Sequence, residues 1–455
     1  MAFSPTDSAI FSQLFGDTEL AAIFSDVQFV RHMLNVEAAL AQVQGRLGVI
    51  PVNAADGIAS AAATLEIDFA LLQAGAEKAG LPVIELVRQL RAAVHKTAGA
   101  GAASYVHWGA TTQDIMDTAL VLQIRAALTI LETKLRQVVQ HLAQLAERHR
   151  HTLMAGRTHS QQALPITFGL KAANWLAPLL RHQQRLAQLK PRLLTVQFGG
   201  AAGTLASLGA DGLVVVEALA AELDLNTPLL PWHTQRDNLA ELAGWLSLIS
   251  GSLAKMAQDI ILLAQSEVGE VQESADRSRG GSSTMPQKSN PIISELIIAA
   301  ARANAAQLSA MHGALIQEHE RATHGWQLEW LTLPQMFAHT ATALNKALLL
   351  SQNLAVDAAR MRQNVAASNG LMLAEAVSFA LAAHMARSAA KALVTQAVQT
   401  ALAEDRHLVD VVQGMTEAPV DWETLRDERN YLGAAQQFID RVLAEANASQ
   451  DRRVV

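Results

Sequence analysis

Twelve consecutive residues, Gly280-Gly281-Ser282-Ser283-Thr284-Met285-Pro286-Gln287-Lys288-Ser289-Asn290-Pro291, hold most of the chemistry that this 455-residue chain offers. Glycines let backbone N–H groups converge on one point. Lys288 adds a compact positive charge, and the hydroxyl of Ser282 can exchange a proton once activated. Such a loop reads as an anion cradle with a proton donor or acceptor inside it. The polar run from Glu273 to Arg279 precedes it and the apolar stretch Ile292 to Ala301 follows, so Lys288 and Asn290 stand at a helix start. A plain linker accounts for the glycines but not for the paired serines, the proline and the cation in that order.

Two other stretches interrupt helical patterns with polar residues. His107-Trp108-Gly109-Ala110-Thr111-Thr112-Gln113-Asp114 stands before a long periodic segment. Free N–H groups at a helix start, with the Thr111 and Thr112 hydroxyls, suit a substrate carboxylate, although an ordinary capped helix uses the same residues. In Gly156 to Pro165, His159 is flanked by Arg157, Thr158 and Gln161, a setting closer to a polar pocket than to a core position. One histidine among fifteen carries little weight alone.

The elements that must position these stretches are helices. Half of the residues are hydrophobic but only 4% are aromatic, and Ala and Leu fill the apolar positions. Val121, Ile124, Leu128, Leu131, Leu135, Val138, Leu142 and Leu145 alternate spacings of three and four, which predicts one long helix. Leu239, Leu242, Leu246, Ile249, Leu253, Met256, Ile260 and Leu263 repeat the pattern and predict a second. Further helices are expected from about Pro291 through Ala310 and from Thr167 to about Leu189, the latter ended by Pro191. Residues 1 to about 110 read as shorter helices punctuated by Gly48, Pro51, Gly57, Gly80 and Pro82, and Ala-rich helices follow from about 351. The expected fold is all-α: three helical domains, 1–110, 111–350 and 351–455, around a long central helix bundle.

Several function classes fall away. A net charge of −7 without a block of like charges gives no nucleic-acid or anionic-membrane surface. The absence of cysteine removes disulfides, thiolate metal sites and cysteine nucleophiles, and suits the cytoplasm. The segment around His319 offers no zinc-helix spacing, and no glycine-rich nucleotide fingerprint occurs, so neither metal nor cofactor is expected. No signal-like start and no run of eighteen uninterrupted apolar residues is present, so no membrane span is expected.

The segment Gly281 to Pro291 resembles the signature of the fumarase/aspartase superfamily. His107 to Asp114 and Gly156 to Gln161 are similar to the other two segments that this superfamily shares, in its order. The resemblance implies three helical domains, a homotetramer, and active sites built from the three segments donated by different subunits. Thr111-Thr112-Gln113-Asp114 and Ser283-Thr284-Met285-Pro286 look like the adenylosuccinate lyase and cycloisomerase branch. Pro191 to Gly203, Pro231-Trp232-His233-Thr234-Gln235-Arg236-Asp237 and Gln317-Glu318-His319-Glu320-Arg321 resemble the cycloisomerases that close carboxylated muconates to lactones.

By that resemblance the substrate is a small polycarboxylate and Ser282 carries the proton. Lys288, Asn290 and loop N–H groups hold the developing aci-carboxylate. His107, Thr111, Thr112, Arg157, Thr158, Gln161, Gln235, Arg236, Ser283, Met285 and Arg321 are the expected substrate contacts. His159 matches the general acid or base of adenylosuccinate lyase, but a carboxylate nucleophile with a solution pKa of about 4 leaves without protonation, which reduces His159 to binding or orienting an anion. The competing readings are adenylosuccinate lyase, a cycloisomerase for a sulfonated muconate, and a crystallin-like structural use of the fold. Retention of Ser282, Lys288, Asn290 and His159 argues against the last.

Overall fold

The computed structural model describes residues 4–274, 280, 281, 284, 285, 288–321 and 323–451. Helix covers 69% of the chain, as the Ala/Leu composition predicts. The helices of nine or more residues among the described residues are α1 (Asp26–Arg46), α2 (Val52–Thr64), α3 (Phe69–Ala79), α4 (Val83–Ala103), α5 (Thr112–Arg148), α6 (Phe168–Leu193), α7 (Gly212–Glu222), α8 (Asp237–Leu263), α9 (Ile292–Gly313), α10 (Gly325–Asn353), α11 (Ala358–Ala366), α12 (Ala374–Ala382), α13 (Arg387–Glu404) and α14 (Ala435–Asp451).

Both predicted seams are helical and buried. Every seam residue from Val121 to Leu145 on α5, and from Leu239 to Leu263 on α8, is at most 5% exposed. By length and composition α8 is also apolar enough to cross a membrane. Its seam residues are buried, while Leu248 and Leu262 are exposed, and it also carries the Lys255–Asp259 ion pair.

Two punctuation expectations are corrected. Pro191 does not end α6, which runs on to Leu193, with the Leu194 N–H still bonded to the Lys190 carbonyl. Proline removes only its own N–H, and its fixed φ fits a final helical turn. Gly57 lies inside α2 rather than breaking it, and an added Cβ would meet the Ala98 methyl at 2.7 Å, so its role is close helix approach. Gly48 and Gly80 do end helices, each at φ +75°.

The residues fall into two compact units. The first comprises 1–133, 183–250 and 300–342, and the second 134–182, 251–299 and 343–455, so the divisions fall within α5, α6, α8, α9 and α10. In the first unit α1, α2 and α4 pack around Leu34, Ile58, Leu86 and Leu90. In the second, α12 and α13 pack around Leu373, Val377, Leu381 and Val394. The second unit also holds a hairpin that the helical reading missed, β1 (Leu153–Thr158) paired antiparallel with β2 (Gln161–Thr167).

Candidate active site

In the first unit the stretch before α5 is built by its own carboxylates. The Thr111 N–H donates to Asp114 Oδ2 at 3.0 Å while the Asp114 N–H returns to the Thr111 main-chain carbonyl, so that Asp114 supplies the carboxylate half of a capping box where α5 starts at Thr112. Asp114 is wholly buried and accepts three more bonds: Gly199 N–H to Oδ1 at 3.0 Å, Gly200 N–H to Oδ2 at 2.9 Å, and His233 Nε2, 2.7 Å from Oδ1. One carboxylate therefore ties the 199–200 turn and the His233 loop to the start of α5. Gly200 adopts φ +69°, with the Gly109 carbonyl 3.1 Å from where a Cβ would sit, so a side chain here is strained by its backbone and tightly placed.

One helical turn on, Asp117 is the hub of a second buried cluster. The Arg236 guanidinium donates to both oxygens of Asp117 at 2.7 and 3.1 Å and to both oxygens of Glu329 at 2.8 and 2.5 Å, and it lies over the Trp232 ring. Trp326 Nε1 and Gln113 Nε2 also donate to Asp117. Asp117 and Glu329 hold Arg236 charged in spite of its burial, and burial pushes the Glu329 carboxyl above its ordinary range even though Arg236 opposes the shift. The expectation that Arg236 contacts substrate is thus corrected. Its hydrogen-bonding edges are committed to two carboxylates, so it supports the site rather than lining it.

Arg321 is different. Its Nη2 donates to the carbonyls of Ala201 at 2.7 Å and Gly200 at 3.3 Å, and Nη1 approaches Gln113 Oε1 at 3.4 Å. These acceptors are neutral, so they orient the guanidinium without neutralising it. Its charge is left for an anion. His107, at φ +66° in the same unit, sets Nδ1 2.5 Å from Glu37 Oε1. Thr111 and Thr112 are half-buried, whereas Gln235 is exposed on the loop that carries Arg236. Arg321, Gln113 and Thr111 thus share one bonded network with Asp114.

A cavity of about 560 Å³ in this unit is lined by Phe24, Phe29, Phe69, Trp326 and Trp330, with the carboxylates of Asp26, Asp117 and Glu329 and no lysine or arginine. That lining offers a polycarboxylate no cation of its own, because Arg236 behind it is already paired with Asp117 and Glu329, whereas Arg321 lies on the other side of Gln113.

In the second unit the Gly156 to Pro165 stretch is the β1–β2 hairpin. His159 and Ser160 occupy its two turn positions at φ +48° and +64°, the backbone of a tight turn with both central residues left-handed. Thr158, His159 and Gln161 are consequently exposed at the tip. The Arg157 guanidinium clamps Glu270, a fully buried carboxylate, with bonds of 2.9 and 2.7 Å, and Asn364 donates to the same Glu270 at 2.8 Å. Arg157 thus anchors the hairpin to Glu270, with its own side chain still partly exposed.

The glycine-rich loop closes on itself at its base. The Asn290 N–H donates to the Gly280 carbonyl at 2.9 Å, and Gly281 bridges Ser289 in antiparallel fashion. A Cβ on Gly280, at φ +72°, would lie 2.3 Å from the Asn290 carbonyl oxygen. Lys288 and Met285 are exposed on this loop and Asn290 is half-buried. Glu273 caps α9 with both oxygens, accepting from Ile293 N–H at 3.0 Å and Ser294 N–H at 2.7 Å. Ser282 and Ser283 lie outside the described residues.

Comparison with known proteins shows the family. The family described as Lyase matches residues 18–303, and that described as adenylosuccinate lyase C-terminus matches 370–442. The chain is a member of the fumarase/aspartase superfamily. Among its superfamily relatives, the 3-carboxy-cis,cis-muconate cycloisomerase of Pseudomonas aeruginosa is 46% identical over 96% of each chain. Trans-aconitate decarboxylase 1 of Mycosarcoma maydis is 44% identical over 98% of this chain and 90% of its own. The crystal structure of the 3-carboxy-cis,cis-muconate lactonizing enzyme from Pseudomonas putida matches with a TM-score of 0.90 and 41% identity, covering 97% of this chain and 99% of that one.

Within the superfamily pattern, the supporting carboxylates Glu37, Glu270 and Glu329 are what the sequence reading missed. A signal was present. Val30, Leu34, Glu37, Ala41 and Gln44 share one face of α1, so Glu37 stands on a core stripe where an unpaired charge is too expensive to leave alone. Glu329 sits likewise on the buried stripe of α10 between Trp326 and Leu333.

Proposed function

We propose that the protein is a cycloisomerase that lactonises 3-carboxy-cis,cis-muconate to 4-carboxymuconolactone in aromatic catabolism. The observation that carries this is end-to-end likeness to cycloisomerases, at 46% identity over 96% of both chains, in a protein whose Arg321 is oriented but not neutralised. In the reaction one substrate carboxylate oxygen bonds to the conjugated double bond. The displaced electron pair moves onto the carboxylate at the far end as an aci-carboxylate, and the α-carbon then takes a proton. Ser282 delivers that proton and is reprotonated from solvent, so the trianion and one proton become a lactone dianion.

Lys288, Asn290, Ser283 and backbone N–H groups near Met285 hold the aci-carboxylate. Arg321, Thr111, Thr112, Thr158, Gln161, Gln235 and His107 bind the other carboxylates. His159 binds or orients an anion, since the leaving carboxylate needs no acid. The rest of the reading is a cytoplasmic homotetramer, with three helical domains at 1–110, 111–350 and 351–455 and each site assembled from segments of different subunits.

The test is direct. Purified protein is mixed with 3-carboxymuconate, its 3-sulfo analogue, adenylosuccinate and trans-aconitate, following diene absorbance and CO₂ release. Rapid loss of the carboxymuconate diene is expected; CO₂ from trans-aconitate as the dominant activity sinks the proposal in favour of the decarboxylase reading that the Mycosarcoma relative suggests. Ser282→Ala should nearly abolish turnover, whereas His159→Gln should cost about 10- to 100-fold or less. Equal losses at the two positions count against the assigned roles.

A further inference from the structure

Glu37 is 1% exposed on the core stripe of α1, and among the described residues its only hydrogen bond is to His107. Oε1 lies 2.5 Å from His107 Nδ1, while Oε2 is buried with no partner. A structural filler would not be built this way, because an apolar side chain of similar size would occupy the stripe without a desolvated oxygen. The surroundings point to what the carboxylate is for. His107 holds a left-handed backbone, φ +66°, that is uncommon for a residue with a Cβ. The backbone on either side is gripped by Arg91, which donates to the Val106 carbonyl at 3.2 Å, and by Gln44, which donates to the Trp108 carbonyl at 2.8 Å. Three side chains from α1 and α4 thus fix one imidazole. The ring is not sealed in: its side chain is 16% exposed, and Nε2 has no hydrogen-bond partner among the described residues.

We propose that Glu37 is a positioning residue that locks Nδ1 of His107 as a donor and so presents Nε2–H as a charged donor to one substrate carboxylate. The inference rests on the polycarboxylate reading of the site given above. A carboxylate behind one ring nitrogen fixes the orientation of the other, and makes an imidazolium rather than an imidazole the species that meets an anion. The groups facing the ring are Glu37 from α1, Arg91 from α4 and Asp114 from the first turn of α5. Burial opposes a charge on His107, but Glu37 outweighs it with help from Asp114 and against Arg91, so its pKa lies above the ordinary histidine value.

The experiment is the pH dependence of KM and kcat for wild-type protein and Glu37→Gln, with calorimetric binding of the inert tricarboxylate tricarballylate to both. Glu37→Gln should raise KM about 10- to 100-fold, the size of one charge-assisted hydrogen bond, with kcat changed much less. The pH at which KM begins to rise should move to lower values, and Glu37→Asp should recover part of the loss. A role in packing alone would lower stability while leaving that pH limb in place, and such a result overturns the proposal. If tricarballylate does not bind wild-type protein, the polycarboxylate reading fails and takes this inference with it. If it binds both proteins equally, only the role of Glu37 fails. Should Glu37→Gln not fold, ¹⁵N-histidine spectra of the wild-type protein decide. Both His107 nitrogens should be protonated at neutral pH with Nε2–H shifting on tricarballylate addition, and a neutral or unresponsive His107 is the contrary result.

Discussion

Arg236 and Asp117 meet through two N–H···O bonds, of 2.7 and 3.1 Å, with both side chains only 1% exposed. A pair this deep is favourable only while every partner is present, because each ion has been taken out of water. Arg236→Met leaves Asp117 and Glu329 facing each other unneutralised. We predict a loss of about 3–5 kcal/mol in stability, read from the first transition in urea. A change under about 1 kcal/mol would mean that the cluster relaxes or admits water.

Asp114→Asn is nearly isosteric yet should be severe. Each Asp114 oxygen accepts from two groups, so whichever way the amide lies, its NH₂ faces at least one backbone N–H donor: Gly199 on one side, Thr111 and Gly200 on the other. Each buried donor left without an acceptor costs about 1–3 kcal/mol. Stability should fall, and KM should rise because the 199–201 turn that orients Arg321 is released. Unchanged KM in a destabilised protein would separate Asp114 from the site.

Gly280→Ala tests the loop without touching a reactive group. The added Cβ would sit 2.3 Å from the Asn290 carbonyl oxygen at a φ that L residues avoid. The closure at the loop base should open, with kcat falling at least about 10-fold, while the thermal transition stays close to wild type because the clash is local. Wild-type kcat would show that the closure between Gly280 and Asn290 is dispensable.

Glu270→Gln should loosen the β1–β2 hairpin. Arg157 loses its ionic partner, and one donor now faces the new amide NH₂, a penalty of about 1–3 kcal/mol. Hydrogen exchange of amides 153–167 should accelerate, and turnover should fall with it because His159 rides on the hairpin turn. Protection equal to wild type would assign the anchoring to β-pairing alone.

Stability should also depend on pH through His107. Its pKa is raised in the folded protein, chiefly because Glu37 outweighs the cost of burial, so the folded state holds the proton more tightly than the unfolded one. The stabilisation is fully present below about pH 6.5, the unfolded value, and is lost as pH rises through the folded value. His107→Gln should therefore be most destabilising at low pH and approach wild type as pH rises. The reverse trend in paired thermal scans would contradict an ion pair.

The sequence alone determined the helices and the three polar segments. Strict spacings of three and four, as in Val121 to Leu145, leave a helix only one way to bury its apolar face, and glycine, hydroxyl and cation clusters stand out against an Ala/Leu background. It also sufficed for the superfamily, since residues 281–291 have few other uses. What each arginine is bonded to is visible only in the tertiary structure. Arg157, Arg236 and Arg321 look alike along the chain, yet two are bonded to carboxylates 113 and 93 positions away and, among the described residues, the third is bonded to neutral oxygens. Whether a guanidinium is free to meet a substrate depends on what the fold brings against it. That information lies in contacts distant in sequence, where local periodicity is silent.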